Sequence, residues 1–177
     1  MNSAKIDWNA RLPSVTIVII NWNYARYISE AIGSVFSQDY ENIDCIVVDN
    51  GSTDNSASLV SGLIKGHPRF KLIQLNENLG QLGALISIFD QIKGDFVVLL
   101  DADDILSPTF VSRHIQVHLA LPKAVAFTSA NVVEVSAEGR ARTGGFQAFG
   151  APLPWDAPGL VDASRAIRIP TISEEQY

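Results

Sequence analysis

Residues 94–104 read Gly-Asp-Phe-Val-Val-Leu-Leu-Asp-Ala-Asp-Asp, and this stretch restricts the fold more than any other. Five successive apolar side chains, Phe96 to Leu100, follow a glycine and are rich in β-branched and aromatic types. They predict a strand covered on both faces, as in a parallel sheet. The run ends in carboxylates. Asp101, Asp103 and Asp104 fall within four residues, where two like charges about 4 Å apart repel by roughly 4 kcal/mol at an effective dielectric of about 20. Hard divalent cations such as Mg²⁺ or Mn²⁺ offset that repulsion, taking one or two carboxylates and filling their other positions with water and substrate phosphates. Open α/β sheets bind ligands at the carboxyl ends of their strands, where the cluster falls. The competing reading is a solvated turn in which Asp104 or Ser107 caps the next helix.

The same pattern occurs upstream. Val15 to Ile20 is an unbroken, largely β-branched run that stops at Asn21-Trp22-Asn23-Tyr24, and it predicts a first doubly covered strand. Ile28, Ala31, Ile32, Val35 and Phe36 then recur at helical spacing. Asp44–Asp49 predicts a second strand, closed by Asn50-Gly51-Ser52-Thr53-Asp54, a turn glycine among capping side chains that leads into a helix near Ser56 to Lys65. Phe70–Leu75 predicts a third strand, and the helix after Gly80 presents Leu82, Leu85, Ile86 and Phe89 as its core face. Ser107 as N-cap and Pro108 at the first helical position open a helix towards Leu121. Four strand and helix alternations predict right-handed crossovers and a mostly parallel, Rossmann-like α/β sheet with helices on both faces. No Gly-x-Gly-x-x-Gly follows the first strand and no P-loop signature occurs, which disfavours dinucleotide oxidoreductases and P-loop enzymes.

Residues 1–13 read as a lead-in, 14–135 as the core, with 124–135 a further strand or strand pair, and 136–177 as an irregular segment rich in Gly and Pro. Thirteen basic against 19 acidic residues give a net charge of −6, which argues against a nucleic-acid surface. The lone Cys45 lies in an apolar run and predicts a buried thiol, suited to a reducing cytosol. No signal region and no span of about 18 apolar residues occurs. A cytoplasmic location follows, with the inner face of the membrane as the alternative.

Three strands thus end in polar signatures at one edge, supplying an aromatic wall, carboxylates and a cation site. The sequence resembles family 2 glycosyltransferases of the GT-A fold. The resemblance covers about residues 14–121 and rests on four ordered motifs: Val-Thr-Ile-Val-Ile-Ile-Asn-Trp-Asn-Tyr, Ile-Val-Val-Asp-Asn-Gly-Ser-Thr-Asp, Asn-Leu-Gly-Gln-Leu-Gly-Ala and Leu-Leu-Asp-Ala-Asp-Asp. It implies a nucleotide-binding set of Ile20, Trp22, Asn23, Asp49, Gly80, Asp101 and Ala102. Trp22 and its neighbours would border the base, Asp49 would bond to it, and Gly80 and the helix N-terminus would meet phosphate through backbone N–H groups. Within the DxD motif Asp101 lies towards the ribose, and Asp103, with Asp101, holds Mn²⁺ or Mg²⁺ on the diphosphate of a nucleotide sugar, most readily a UDP-sugar. Such enzymes invert the anomeric centre by direct displacement, a carboxylate base taking the proton of the acceptor hydroxyl.

Two departures from the family pattern stand out. Leu85-Ile86 occupies the place of an Arg-Asn pair, and no matching base motif can be placed, Glu174-Glu175 being the only late acidic pair. The expectation is a donor-binding part, truncated on the acceptor side, with the base beyond Tyr177 and the acceptor unknown. The alternative is a non-catalytic module kept for assembly, its exposed apolar face covered by self-association into a homodimer; a nucleotidyltransferase is a weaker third option. Individual residues carry plain readings as well. Trp22 competes between core and base contact, Asp49 between turn cap and ligand, and Asn50, Thr53 and Asp54 read as turn and cap residues. His114 and His118 at i, i+4 lack a third metal ligand, His67 reads as solvated, and Arg140 and Arg142 read as loop charges.

Overall fold

The computed structural model of the chain describes residues 12–120, 126–130, 132–135 and 141–144. Two compact units divide it, Met1–Val125 and Ala126–Tyr177. The first runs β1 (Val15–Asn21), α1 (Ile28–Phe36), β2 (Ile43–Asn50), α2 (Ser56–Leu63), β3 (Phe70–Leu75), α3 (Gly80–Ser87), a 3-10 turn (Phe89–Gln91), β4 (Phe96–Asp101) and α4 (Phe110–Ala120). The strand order is β3-β2-β1-β4, and every pairing is parallel. The unbroken apolar run of β1 fits its central place. Six of its seven residues are buried, Ile20 being the exception.

Alternation along the strands sends side chains to two cores. On one face Val15, Ile17 and Ile19 pack with Cys45, Val47 and Leu100 against α1, α2 and α4. On the other Val18, Ile46 and Val48 pack against Ala84 of α3 and Ile88 beyond it. Each fully buried Val or Ile contributes roughly 1.5–3 kcal/mol, so β1 and β2 anchor the fold. Cys45 is buried as its context predicts, and burial pushes its thiol up to about 12.

Several expectations need correction. β4 is covered on one face only: among the described residues it ends the sheet, and Leu99 is 59% exposed. The core face expected of α3 is also displaced, because the helix leans over β1 and β2 on Ala84, with Ile88 just beyond its end. Leu82 and Phe89 are therefore 69% and 68% exposed, and Ile86 is exposed with them. Phe36 lies partly outside on the α1 face, stacked on Phe70 with ring centroids 4.3 Å apart. α4 begins at Phe110 rather than Pro108, since the Phe110 N–H closes a tight turn on the Ser107 carbonyl at 3.0 Å.

In the second unit β5 (Val132–Val135) pairs antiparallel with β6 (Ala141–Gly144). β6 thus falls inside 136–177, which the sequence reading leaves irregular, and the division at Val125 precedes the expected core limit of 135. The lead-in to residue 11, Arg140, residues 145–177 and with them Glu174-Glu175 lie outside the described residues. No helix among the described residues is long and apolar enough to cross a membrane.

Gly51 turns the chain out of β2 at a φ of +70°, and a Cβ there would lie 2.6 Å from the Glu77 carbonyl carbon. Gly66 has a φ of +84° with open space around it. Both alanine variants carry the left-handed cost of about 1–2 kcal/mol, but Gly51→Ala must also displace backbone. Urea unfolding should rank wild type above Gly66→Ala and Gly66→Ala above Gly51→Ala; equal midpoints for the two variants would show that the Glu77 loop yields freely.

Candidate functional site at the carboxyl edge of the sheet

Parallel register brings the motif starts to one level. Asn21 pairs with Asp49 across β1 and β2, and Ile20 with Asp101 across β1 and β4. The pleat then separates them. Asn21 and Asp49 lie on the face of α1, α2 and α4, whereas Ile20 and Asp101 lie on the face of α3.

Asn21 is fully buried, and Asp49 is 4% exposed. The Asn21 amide donates to Asp49 Oδ1 at 2.9 Å and approaches the Ser56 and Ser52 hydroxyl oxygens at 2.8 and 3.1 Å. Ser52 Oγ also accepts from the Asn23 N–H. Asn23, at a φ of 61°, uses its own Oδ1 to accept the N–H groups of Thr53 and Asp54. Asp54 in turn accepts from the Ala25 N–H and caps Ser56. This web fastens the β1 tip to the β2 loop. Asn21 Oδ1 is buried without a partner among the described residues.

The acidic turn is fastened from another side. The Asp104 N–H donates to the Asp101 carbonyl at 3.1 Å, closing the turn over buried Ala102. Beyond it Leu106 N–H donates to Ser34 Oγ, and Gln38 of the α1 end donates to the Ser107 carbonyl while accepting from Val111 N–H. Asp101, Asp103 and Asp104 all remain exposed. Partial burial, followed by the charges of Asp101 and Asp103, pushes the Asp104 carboxyl above its usual range.

The third fastening joins β2 to α3. Asn50, buried, accepts from Leu79 N–H at 2.9 Å and donates to Asn78 Oδ1 and the Gly80 carbonyl. The Gly80 N–H, expected to meet phosphate, donates to Asn78 Oδ1 at 2.8 Å. From the next residue Gln81 Nε2 donates to Asp101 Oδ1 at 2.6 Å. Beside this contact lies a cavity of about 240 Å³, lined by Val18, Ile20, Gln81, Leu82, Leu99 and Asp101 among others.

Of the sequence-derived site residues, Trp22 stands 49% exposed, so the core reading does not apply to it. Asn50, Thr53 and Asp54 serve as loop and cap residues, as read. Asp49 accepts from Asn21 rather than capping Gly51. His114 packs at a tilt against Phe110 and His118 against Phe96, at 4.2 and 4.9 Å between centroids; burial holds both imidazoles below their usual range, with His118 adding to the effect at His114. His67, exposed, also packs on Phe36. Sequence reasoning missed Asn21, Ser34, Gln38, Asn78 and Gln81. Asn21 and Ser34 carried a faint signal as polar residues within apolar runs.

The sequence matches the model of a family described as Glycosyl transferase family 2 over residues 16–168. The chain belongs to glycosyl transferase family 2. An uncharacterized glycosyltransferase of Nostoc sp. is 40% identical over 104 residues, which is 58% of this chain and 32% of that protein. The succinoglycan biosynthesis protein ExoO of Rhizobium meliloti is 32% identical over 135 residues, covering 76% of this chain and 37% of that protein. Among solved structures, the mannosyltransferase PcManGT of Pyrobaculum calidifontis, in complex with GDP-Man and Mn²⁺, has a TM-score of 0.55 at 31% identity, over 62% of this chain and 33% of that one. TarS of S. aureus has a TM-score of 0.54 at 26% identity, over 60% of this chain and 20% of that one. This chain thus spans about a third of the length of the first two relatives. Its fold is that of GT-A glycosyltransferases.

For a family 2 member the donor set is informative. No group of three or more His, Cys, Asp or Glu side chains among the described residues forms a closed metal cage. Two or three exposed carboxylates on one turn fit a hard cation only if other oxygen ligands complete its shell. The repulsion within that turn has a measurable sign. Ionising Asp104 is harder in the folded chain than in the unfolded one, so it subtracts stability at neutral pH and nothing below the unfolded carboxyl range. Asp104→Asn should therefore raise Tm at pH 7 by about 1–2 °C, a gain that fades as pH falls towards about 4 and is absent below it. An unchanged or lower Tm at pH 7 would contradict it.

Proposed function

We propose that this chain is the donor-binding part of a metal-dependent, inverting glycosyltransferase that takes its sugar from a nucleoside-diphosphate sugar. The observation that carries the reading is the exposed acidic turn Asp101–Asp104, set at the same sheet edge as the Asn21 and Asp49 tips. The 31% identical mannosyltransferase in complex with GDP-Man and Mn²⁺ supports it. A UDP-sugar is the donor that the motif resemblance favours. The relative named for succinoglycan biosynthesis points to polysaccharide assembly as the setting.

In this reading Asp103 and Asp101 would hold Mn²⁺ or Mg²⁺, and a cation there would supply the positive charge that a departing diphosphate needs. Trp22 offers an exposed aromatic wall to the base, and Asp49 with Asn21 shapes the floor beneath it. Ile20 and Ala102 set the backbone on either side of the β1 and β4 tips. The acceptor oxygen attacks the anomeric carbon as the bond to the diphosphate breaks, and the proton passes to a base that we place outside the described residues. The nucleoside diphosphate leaves.

Calorimetry of the chain with UDP and with GDP, with and without Mn²⁺, tests the proposal. One nucleotide should bind in the presence of Mn²⁺, and Asp103→Ala should remove the metal-dependent share, a loss of tenfold or more. Binding of neither nucleotide with metal present would remove the reading's basis.

The exposed apolar side chains of α3, the 3-10 turn after it and β4 favour a second reading, an assembly module whose copies cover Leu82, Phe89 and Leu99 in a homodimer. Sedimentation equilibrium then shows a dimer that Leu99→Asp dissociates. A monomer at 100 micromolar, an order-of-magnitude ceiling of about 10⁻⁴ M for a weak complex, discards it.

A further inference from the structure

Gln81 is the second residue of α3, and its backbone is placed by the β2 tip. Gly80 enters the helix at a φ of +72°, its N–H bonded to Asn78 and its carbonyl accepting from buried Asn50. From that fixed base the Gln81 amide reaches across to β4 and donates to Asp101 Oδ1 at 2.6 Å. With Oδ1 engaged, the bond favours the carboxylate orientation that leaves Oδ2 free of Gln81.

We infer that Gln81 is a positioning residue for nucleotide-diphosphate binding, acting through Asp101. The inference rests on the donor-binding reading above. Its chemistry is specific to a neutral donor. A carboxylate that shares its turn with Asp103 and Asp104 and would serve as a cation ligand needs its orientation fixed without losing its charge. An amide N–H does this, whereas Lys or Arg would add a positive charge that competes with the metal. The path Asn50 to Asn78, Gly80, Gln81 and Asp101 also couples the second motif to the fourth through the third. It gives the polar residues of Asn-Leu-Gly-Gln a role that their spacing alone does not reveal.

The test uses the whole 177-residue chain and Mn²⁺ with whichever of UDP or GDP the wild type binds. Gln81→Met keeps the length and removes the donor. Its dissociation constant should rise about tenfold, the usual cost of losing a group that orients a metal-binding carboxylate, with Tm unchanged because Gln81 is exposed. Gln81→Lys should lose Mn²⁺ dependence as well as affinity. The change in Mn²⁺ dependence is the signature that a merely structural role would not produce; as a check on the bond itself, the Gln81 side-chain amide resonance should move in Asp101→Ala and stay in place in Asp104→Asn. Wild-type affinity in Gln81→Met, or an amide resonance indifferent to Asp101→Ala, overturns the inference alone. Failure of the wild type to bind either nucleotide with Mn²⁺ overturns the donor-binding reading and this inference with it.

Discussion

An amide and a carboxylate shut away from water at the tips of two neighbouring parallel strands govern this structure. Asn21 and Asp49 face each other in register, and neither has solvent to fall back on. A buried carboxylate left without a donor costs roughly 1–3 kcal/mol or more, so strands β1 and β2 cannot slide by a residue without that loss. The same amide touches Ser52 and Ser56, which extends the constraint into the loop and the start of α2. The edge of the sheet is thereby fixed at a point where hydrophobic packing, being non-directional, would tolerate small shifts. A ligand site on that edge inherits its geometry from this bond.

The strands were legible because both cores demand apolar side chains on each face of β1 and β2, and only an unbroken aliphatic run satisfies that. Phe70–Leu75 was legible to the residue, since its ends coincide with loop residues. α3 was not. Leu79, Leu82, Leu85, Ile86, Ile88 and Phe89 surround much of its circumference, so periodicity allows more than one buried face, and the small Ala84 wins by letting the helix approach the sheet. Covering of β4 depends on what lies beside it, which its own residues do not record. The doubly covered strand and the edge strand have the same sequence pattern here.

At the site, the residue types were readable and their partners were not. Aspartates at a strand end announce themselves through charge. Asn78, Gln81 and Gln38 do not, because an amide on a surface helix or loop looks like any solvated side chain until the fold supplies its partner. Asp49 shows the same limit from the other direction. Its position after an apolar run marked it for function, yet its immediate partner is an asparagine that reads as the end of a strand.

The acidic turn is tied to two elements with different freedoms. Asp101 ends β4, and the residues after it hang from Ser34 of α1 and from Gln38 just past its end. The end of helix α1 therefore helps set where the turn after Asp101 runs, so a shift of that helix along the sheet would alter the spacing of Asp101 and Asp103 with no change at either residue. The spacing of the acidic side chains is thus sensitive to the packing of Ile32 and Val35, which lie in the core and carry no charge.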